Sequence, residues 1–221
     1  MKYVIKSKNR LIKIEKKTLS LLRNYGVEDE DINIFVSDDK DLEDYKEKFN
    51  KCNIIKGDKG IVGIDNFIVN YFDEGEEYIY MNDDVSALFC LDENNKKKEL
   101  DKSEFKYLVS KMFSELKLYG GSYCGIYPCN NNLFMSKCDE MTCDLCICMD
   151  PFSAIINNKE VQLTEFIVPK EDGTEFVGEC SDAEKTLQHF KSKGGIVRLN
   201  HYCMNVEYYT KQGGYQGRQK N

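Results

Sequence analysis

Two adjacent carboxylates, Asp83 and Asp84, stand just behind the apolar run Tyr78-Ile79-Tyr80-Met81, with Asn82 between. The run has the length and composition of a buried strand. In an open α/β sheet, ligands bind beyond the carboxyl ends of the strands. Two acids placed there repel each other and resist desolvation unless a positive charge joins them. A divalent cation carrying a diphosphate meets that need, because Mg²⁺-type ions take one or two carboxylates together with substrate phosphates. These residues point to a nucleotide-dependent transferase. An Asn-Asp-Asp cluster after a strand is equally ordinary turn chemistry, and the residues alone do not choose between the two.

The elements that would position this pair alternate between strand and helix signals. Tyr3-Val4-Ile5 is a short strand, and Ser7-Lys8-Asn9-Arg10 a polar turn at its carboxyl end. Residues 15–25 read as a helix with Leu19, Leu22 and Tyr25 on one face and Gly26 as its stop. Residues 32–36 form a strand, and a second helix opens at Asp38-Asp39, with Leu42, Tyr45 and Phe49 at helical spacing. A third strand, 53–56, opens into the slim loop Gly57-Asp58-Lys59-Gly60, followed by a helix over 63–71 and the strand 78–81. This β-α-β-α-β-α-β succession predicts an α/β fold with a mostly parallel central sheet and helices on both faces.

Beyond Asp84 the pattern is mixed. A strand over 87–91 and an amphipathic helix carrying Phe105, Leu108, Met112, Phe113 and Leu116, ended by Gly120-Gly121, are legible. Residues 122–168 mix strands and loops, 182–193 read as a helix, 196–199 as a strand, and 212–221 as a basic tail. The expectation is a single domain over residues 1–221, with a nucleotide-sugar-binding half, 1–85, and an acceptor half, 86–221.

The chain of 221 residues is 41% apolar and 31% charged, which suits a packed core. No stretch approaches the ~18 apolar residues of a membrane span. The start, Met1-Lys2-Tyr3-Val4-Ile5-Lys6, is charged too soon for a signal peptide, so a cytoplasmic setting is expected. A net charge of −7 argues against a generally basic nucleic-acid surface. The cysteines number 10, and Cys124, Cys129, Cys138, Cys143, Cys146 and Cys148 crowd one segment. Cys138, Cys143, Cys146 and Cys148 are a conceivable zinc set, yet their spacing lacks the paired knuckles of a structural site. Cys146 and Cys148 also alternate with Leu145, Ile147 and Met149 as on a strand, which favours buried small hydrophobes.

The order of motifs resembles GT-A glycosyltransferases, and more closely the TET-associated glycosyltransferases of phages and large DNA viruses. The residues carrying it are Ser7-Lys8-Asn9-Arg10, Lys17-Thr18-Leu19, Ile32 to Asp38, Gly57 to Gly60, Asp65-Asn66-Phe67-Ile68 and Asn82-Asp83-Asp84. In the second half they are Gly125-Ile126-Tyr127-Pro128, Asn130-Asn131, Phe134-Met135, Val197-Arg198-Leu199-Asn200 and Gly213-Gly214. The chain departs from the pattern twice, with Asp65 in place of an arginine and Asn82 in place of the first acid of the triplet.

The resemblance implies transfer of a sugar, glucose by expectation, from a UDP-sugar with Mn²⁺ or Mg²⁺. It makes Asp84 the leading metal ligand, with Asp83, Asn82 and His201 beside it. Ser7, Asn9, Arg10, Asp38, Lys59, Gly60, Asn66 and Asp83 would hold the nucleotide-sugar, with Arg10 and Lys59 on the diphosphate. Asp38 would accept from base or ribose, and Asn66 would bond the ribose or the sugar. Glu179 and Asp182 are the candidate catalytic bases. Each has a plainer reading: a solvated loop charge for Lys59, a helix-end residue for Asn66, a loop histidine for His201, a helix cap for Asp182. Implied acceptors are a hydroxymethylpyrimidine in DNA or a viral glycan or protein. Tyr123, Tyr127 and Phe134 are the aromatics that would stack on the acceptor, with packing under the sheet as the default for Phe134. Lys191, Lys193, Lys211, Arg218 and Lys220 are the local basic groups for DNA. The departures at Asp65 and Asn82 favour the alternative of a GT-A-like module that binds a nucleotide or partner without catalysis.

Overall fold

The structure, a computed structural model, describes residues 1–148, 150–169, 175–178 and 181–206. Glu179 and the basic tail with Lys211, Arg218 and Lys220 lie outside the described residues. Among the described residues, ten strands form one sheet in the order β3-β2-β1-β4-β9-β7-β12-β5-β6, with β8 on β12. The first part is β1 (Lys2–Lys6), β2 (Ile32–Val36), β3 (Asn53–Lys56) and β4 (Glu77–Asn82), all parallel. The second part holds β5 (Ala87–Leu91), β6 (Lys97–Glu99), β7 (Tyr123–Tyr127), β8 (Met141–Thr142), β9 (Phe152–Ile156) and β12 (Val197–Asn205). There β9 runs antiparallel between β4 and β7, and β12 is parallel to β7. A separate antiparallel pair is formed by β10 (Phe166–Pro169) and β11 (Glu175–Gly178). The expected α/β architecture is met, and the mixed character is confined to the second half.

Strand periodicity divides the core in two. Successive side chains of a strand point to opposite faces. Tyr3 and Ile5 of β1, Ile32, Ile34 and Val36 of β2, and Ile79 and Met81 of β4 join one cluster. Val4, Phe35, Tyr78 and Tyr80 join the other. On the first face lie α1 (Leu11–Ile14), α2 (Ser20–Asn24), α3 (Asp39–Lys48) and α5 (Lys102–Tyr119), through Ile14, Leu22, Tyr45, Phe105 and Met112 among others. On the second lie α4 (Ile61–Tyr71), through Ile64 and Ile68, and α7 (Ser181–Lys193), through Phe190. The short α6 (Asn132–Met135) follows β7. The ends of α5 follow from its sequence. Asp101 and Glu104 form a reciprocal capping box, and Gly120, at φ +67°, ends the helix in the left-handed region.

The first helix differs from expectation. It starts at Leu11 rather than at residue 15, and α1 passes through a π-helical segment, Glu15–Leu19, into α2. A π turn widens the helix and re-aims one side chain. Here the residue is Thr18, fully buried. Its hydroxyl donates to the Asn82 carbonyl at 2.7 Å and accepts the Val85 N–H at 3.1 Å. One side chain thus brackets the Asp83-Asp84 turn on both sides. Thr18→Val keeps the shape and leaves both backbone groups unpaired. It should lower stability by about 1–3 kcal/mol, as a buried unsatisfied group does, in urea unfolding monitored by circular dichroism. A change within 0.3 kcal/mol would contradict the bracket.

Candidate active site

The acidic turn sits at the carboxyl end of β4, beside the carboxyl end of β1. Asp83 and Asp84 are 4% and 6% exposed, so charge at this edge must be answered locally. Asp83 takes the Ser7 hydroxyl on one oxygen at 2.6 Å and the Arg10 guanidinium on the other at 3.0 Å. Asp84 faces the Lys13 ammonium at 3.2 Å and Arg10 at 3.7 Å. Burial pushes the Asp83 carboxyl up, and Arg10 and the Ser7 hydroxyl oppose it.

Helix α3 holds the turn that carries Ser7 and Arg10. Tyr45 and Asp41 are one helical turn apart and point the same way. The Tyr45 hydroxyl meets Ser7 Oγ at 2.8 Å and accepts the Arg10 N–H at 3.1 Å. Asp41 accepts the Asn9 N–H at 3.0 Å, and Asn9 adopts φ +54°, a left-handed turn that asparagine tolerates. An ionised Asp83 only accepts, so Ser7 spends its proton there and Tyr45 donates to Ser7. The order of donors runs from α3 through the β1 turn to the acidic edge.

On the other face, below the same edge, is a cluster of buried charges. The parity that places Val4 and Tyr80 on that face also places Lys6 there. Lys6 Nζ meets Asp65 of α4 at 3.0 and 3.1 Å and Asp150 at 3.5 Å. Lys185 of α7 meets Asp150 at 2.8 and 2.9 Å and Asp65 at 3.5 Å, and its ammonium lies 4.3 Å from the Tyr80 ring centroid. The Tyr80 hydroxyl donates to Asp65, and that of Tyr123 to Asp150 at 3.0 Å. Burial alone would push the Asp150 carboxyl up, but Lys185 and Lys6 hold it down at about 2. Burial lowers the Lys6 ammonium's proton affinity, and Asp65 and Asp150 more than reverse this. Asp182, in the first turn of α7, accepts the Asp150 backbone N–H at 3.2 Å. Burial and then the Asp150 charge push its carboxyl up to about 6, near the range where a carboxylate serves as a general base.

Several expected site residues are placed otherwise. The Asn66 amide is committed to backbone, donating to the Leu163 carbonyl at 2.9 Å and accepting the Leu163 N–H at 2.7 Å. It clasps the segment after β9 rather than facing a ribose. Asp38 caps α3 by accepting the Asp41 N–H at 2.9 Å. Lys59 is exposed in the loop before α4, where Gly60 takes φ +88°. His201 lies on β12 with Nε2 3.1 Å from the Cys138 carbonyl. Among the described residues no group of three or more His, Cys, Asp or Glu side chains is placed to hold a metal ion, so His201 is not brought together with Asp83 and Asp84. The same holds for the cysteine segment. Residues 143–148 are not a strand, though Cys148 is buried as a small hydrophobe.

The acceptor-side aromatics also sort differently. Tyr123 is fully buried against His189 and Asp150 and is not available for stacking on an acceptor. Phe134, expected under the sheet, is 52% exposed. Tyr127 lies under the Arg198 guanidinium at 5.3 Å. His189 is a packing residue that meets Ser122 Oγ at 2.7 Å, its imidazole kept neutral by burial down to about 3.

A divalent cation suits this edge on one specific ground. The Asn82 side-chain oxygen is buried without a hydrogen-bond partner, directly before the two carboxylates. An unpartnered amide oxygen and two carboxylates on three successive residues are hard-oxygen donors of the kind Mn²⁺ and Mg²⁺ prefer, a set that substrate phosphates would complete rather than a closed protein cage. Asp84, Asp83 and Asn82 are the groups at this turn that would hold it; Asp83 already accepts from Ser7 and Arg10, and Asp84 faces Lys13 and Arg10.

No protein-family model matches the chain, and no curated protein matches it. Among solved structures it is similar to glucosyl-3-phosphoglycerate synthase from Mycobacterium tuberculosis in complex with phosphoglyceric acid. The identity is 11%, over 95% of this chain and 72% of that one, with a TM-score of 0.55. A second structure of that enzyme, in complex with Mn²⁺, UDP-glucose and phosphoglyceric acid, aligns over 94% of this chain and 72% of that one. Its identity is 11% and its TM-score 0.52. S. aureus TarS aligns at 15% identity over 92% of this chain and 59% of that one, with a TM-score of 0.48. At these identities the likeness is one of fold, and the chain has the architecture of a GT-A glycosyltransferase.

Proposed function

We propose that the chain is a glycosyltransferase that takes a sugar from a UDP-sugar, glucose by analogy with the neighbour solved with UDP-glucose, and passes it to an acceptor hydroxyl. The observation that carries this reading is the buried Asp83-Asp84 edge, with cations on one side and an orphaned Asn82 oxygen, at the carboxyl end of β4 in this fold. Residues 1–85 supply the donor half and 86–221 the acceptor half.

The acceptor oxygen forms a bond to the anomeric carbon, and the bond from that carbon to the phosphate oxygen breaks. The electron pair leaves on the nucleoside diphosphate, and the acceptor proton passes to the Asp182 carboxylate. Asp84, with Asp83 and Asn82 beside it in sequence, would hold a divalent ion, which would supply positive charge to the diphosphate. Arg10 and Lys13 stand at the same edge, and Lys59 with Gly60 lies in the loop before α4. Arg10, with its fork geometry, suits the phosphate oxygens. The Thr18 bracket keeps the acidic turn in place. Where the resembling family has an arginine, Asp65 is paired with Lys6 and Lys185. The acceptor class follows from the resemblance alone, and among the described residues Lys191 and Lys193 are the exposed basic groups that a DNA acceptor would meet.

A donor screen tests the reading: each nucleotide-sugar with Mn²⁺, read out by nucleotide release. UDP release should be supported, and Asp84→Asn should reduce it by about 10²–10³-fold, the scale for losing one electrostatic stabiliser of the leaving group. Full activity with unchanged Mn²⁺ dependence in Asp84→Asn would overturn the assignment. Absence of turnover with any donor, combined with tight UDP binding, would favour the non-catalytic binding module.

The base makes a separate prediction. It acts when ionised, so turnover should rise with pH through about 6, where the Asp182 carboxyl loses its proton. Asp182→Asn should lower turnover by about 10²–10⁴-fold, the range for a general base, and abolish that acid limb. A pH profile left unchanged by the substitution would remove Asp182 from the role.

A further inference from the structure

The cluster beneath the acidic edge contains a carboxylate with no part in the chemistry above. Asp150 is buried, and its oxygens receive Lys185 at 2.8 and 2.9 Å, the Tyr123 hydroxyl at 3.0 Å and Lys6 at 3.5 Å. A buried carboxylate ordinarily gives up its charge. Two ammonium groups and a phenol hydroxyl here all favour the charged form, so Asp150 stays ionised throughout the physiological range. Its backbone N–H is the partner of the Asp182 carboxylate at 3.2 Å.

We propose that Asp150 is a positioning residue for Asp182: gripped by Lys185 and Lys6, it fixes the Asp182 carboxyl through its N–H and sets a permanent negative charge beside it. This rests on the reading of Asp182 as the base. Among the described residues, the groups that bear on Asp182 come from several elements. They are Asp150 before β9, Lys185 on α7 itself, Lys6 at the end of β1, and Tyr123 on β7, whose hydroxyl is spent on Asp150. Asp65 on α4 stands behind the lysines and shares them with Asp150. The fixed negative charge makes Asp182 hold its proton more tightly than a surface aspartate, and the lysines limit how far. A base poised in this way has appreciable affinity for the acceptor proton and is still ionised at neutral pH.

The test is a ¹³C-carboxyl NMR titration of the full chain, with the Asp182 signal assigned by its loss in Asp182→Asn. In the unsubstituted protein the Asp182 midpoint should lie near 6. Asp150→Asn preserves shape and N–H but removes the charge, and should lower the midpoint by about one unit. Lys185→Met removes an opposing charge and should raise it by a similar amount. Opposite signs separate electrostatics from loosened packing, since water entering the cluster would lower the midpoint in both. An ordinary aspartate midpoint in the unsubstituted protein, an unmoved midpoint in Asp150→Asn, or a fall in Lys185→Met would each overturn the proposal. Lys185→Met and the unsubstituted protein decide it even if Asp150→Asn does not fold. The acid limb of turnover in the same proteins tests the other reading. Midpoints that move while the limb stays would remove Asp182 as the base and leave the hold of Asp150 on it intact.

Discussion

Two aspartates buried side by side at the end of a strand are the constraint on which the rest of this molecule depends. Asp83 and Asp84 are charges that water would solvate freely and that the sheet edge does not. Everything around them supplies compensation. Arg10 and Lys13 bring positive charge, Ser7 brings a hydroxyl, and Thr18 ties down the backbone before and after them. The helix between β1 and β2 distorts to a π turn where Thr18 sits, and α3 devotes Tyr45 and Asp41 to holding the β1 turn. A stable domain has little reason to assemble so many polar groups around two acids. A site that must receive a highly charged ligand does, because its groups have to be oriented before the ligand arrives.

The opposite face repeats the logic with other residues. Strand parity sends Lys6 and Tyr80 to the α4 and α7 side, where Asp65, Asp150 and Lys185 complete a buried ionic cluster. Removing one partner from such a cluster leaves an unpaired buried charge, at a cost of about 3–5 kcal/mol. The cluster joins β1, α4, α7 and the segment before β9, and so ties the strand that leads into the acidic edge to the helix bearing Asp182. Under the proposed reading, that tie holds the acidic edge and Asp182 at a fixed separation.

Much of the first half was legible in the sequence because its signals are local. Apolar runs with polar ends place β1, β2, β3 and β4, and helical spacing places α3 and α4. The acidic turn is visible from Asn82-Asp83-Asp84 alone. The start of the first helix is not legible, because Leu11 and Ile12 follow a polar turn without a side-chain cap and a π turn has no spacing signature. Residues whose partners come from distant elements read differently in the sequence and in the fold. Asn66 looks like a sugar ligand until Leu163 is brought beside it, and Asp65 looks like a lost cation until Lys6 and Lys185 surround it. Tyr123 looked available to an acceptor in a polar stretch, whereas Asp150 and His189 bury it. Asp150 and Lys185 carried no local signal at all, because a lone acid before a strand and a lysine within a helix are ordinarily solvated.

Thermal unfolding with UDP and Mn²⁺ together, set against each alone, tests the central claim that the Asp83-Asp84 edge receives a cation-bound diphosphate. Ligand at about 100 times its dissociation constant adds about 2.7 kcal/mol to the native state, or several degrees for a chain of this size. The pair should raise the midpoint by more than the sum of the separate shifts, and Asp84→Asn should erase that excess. A midpoint unmoved by the pair at millimolar concentrations, or an equal shift in Asp84→Asn, would contradict the account.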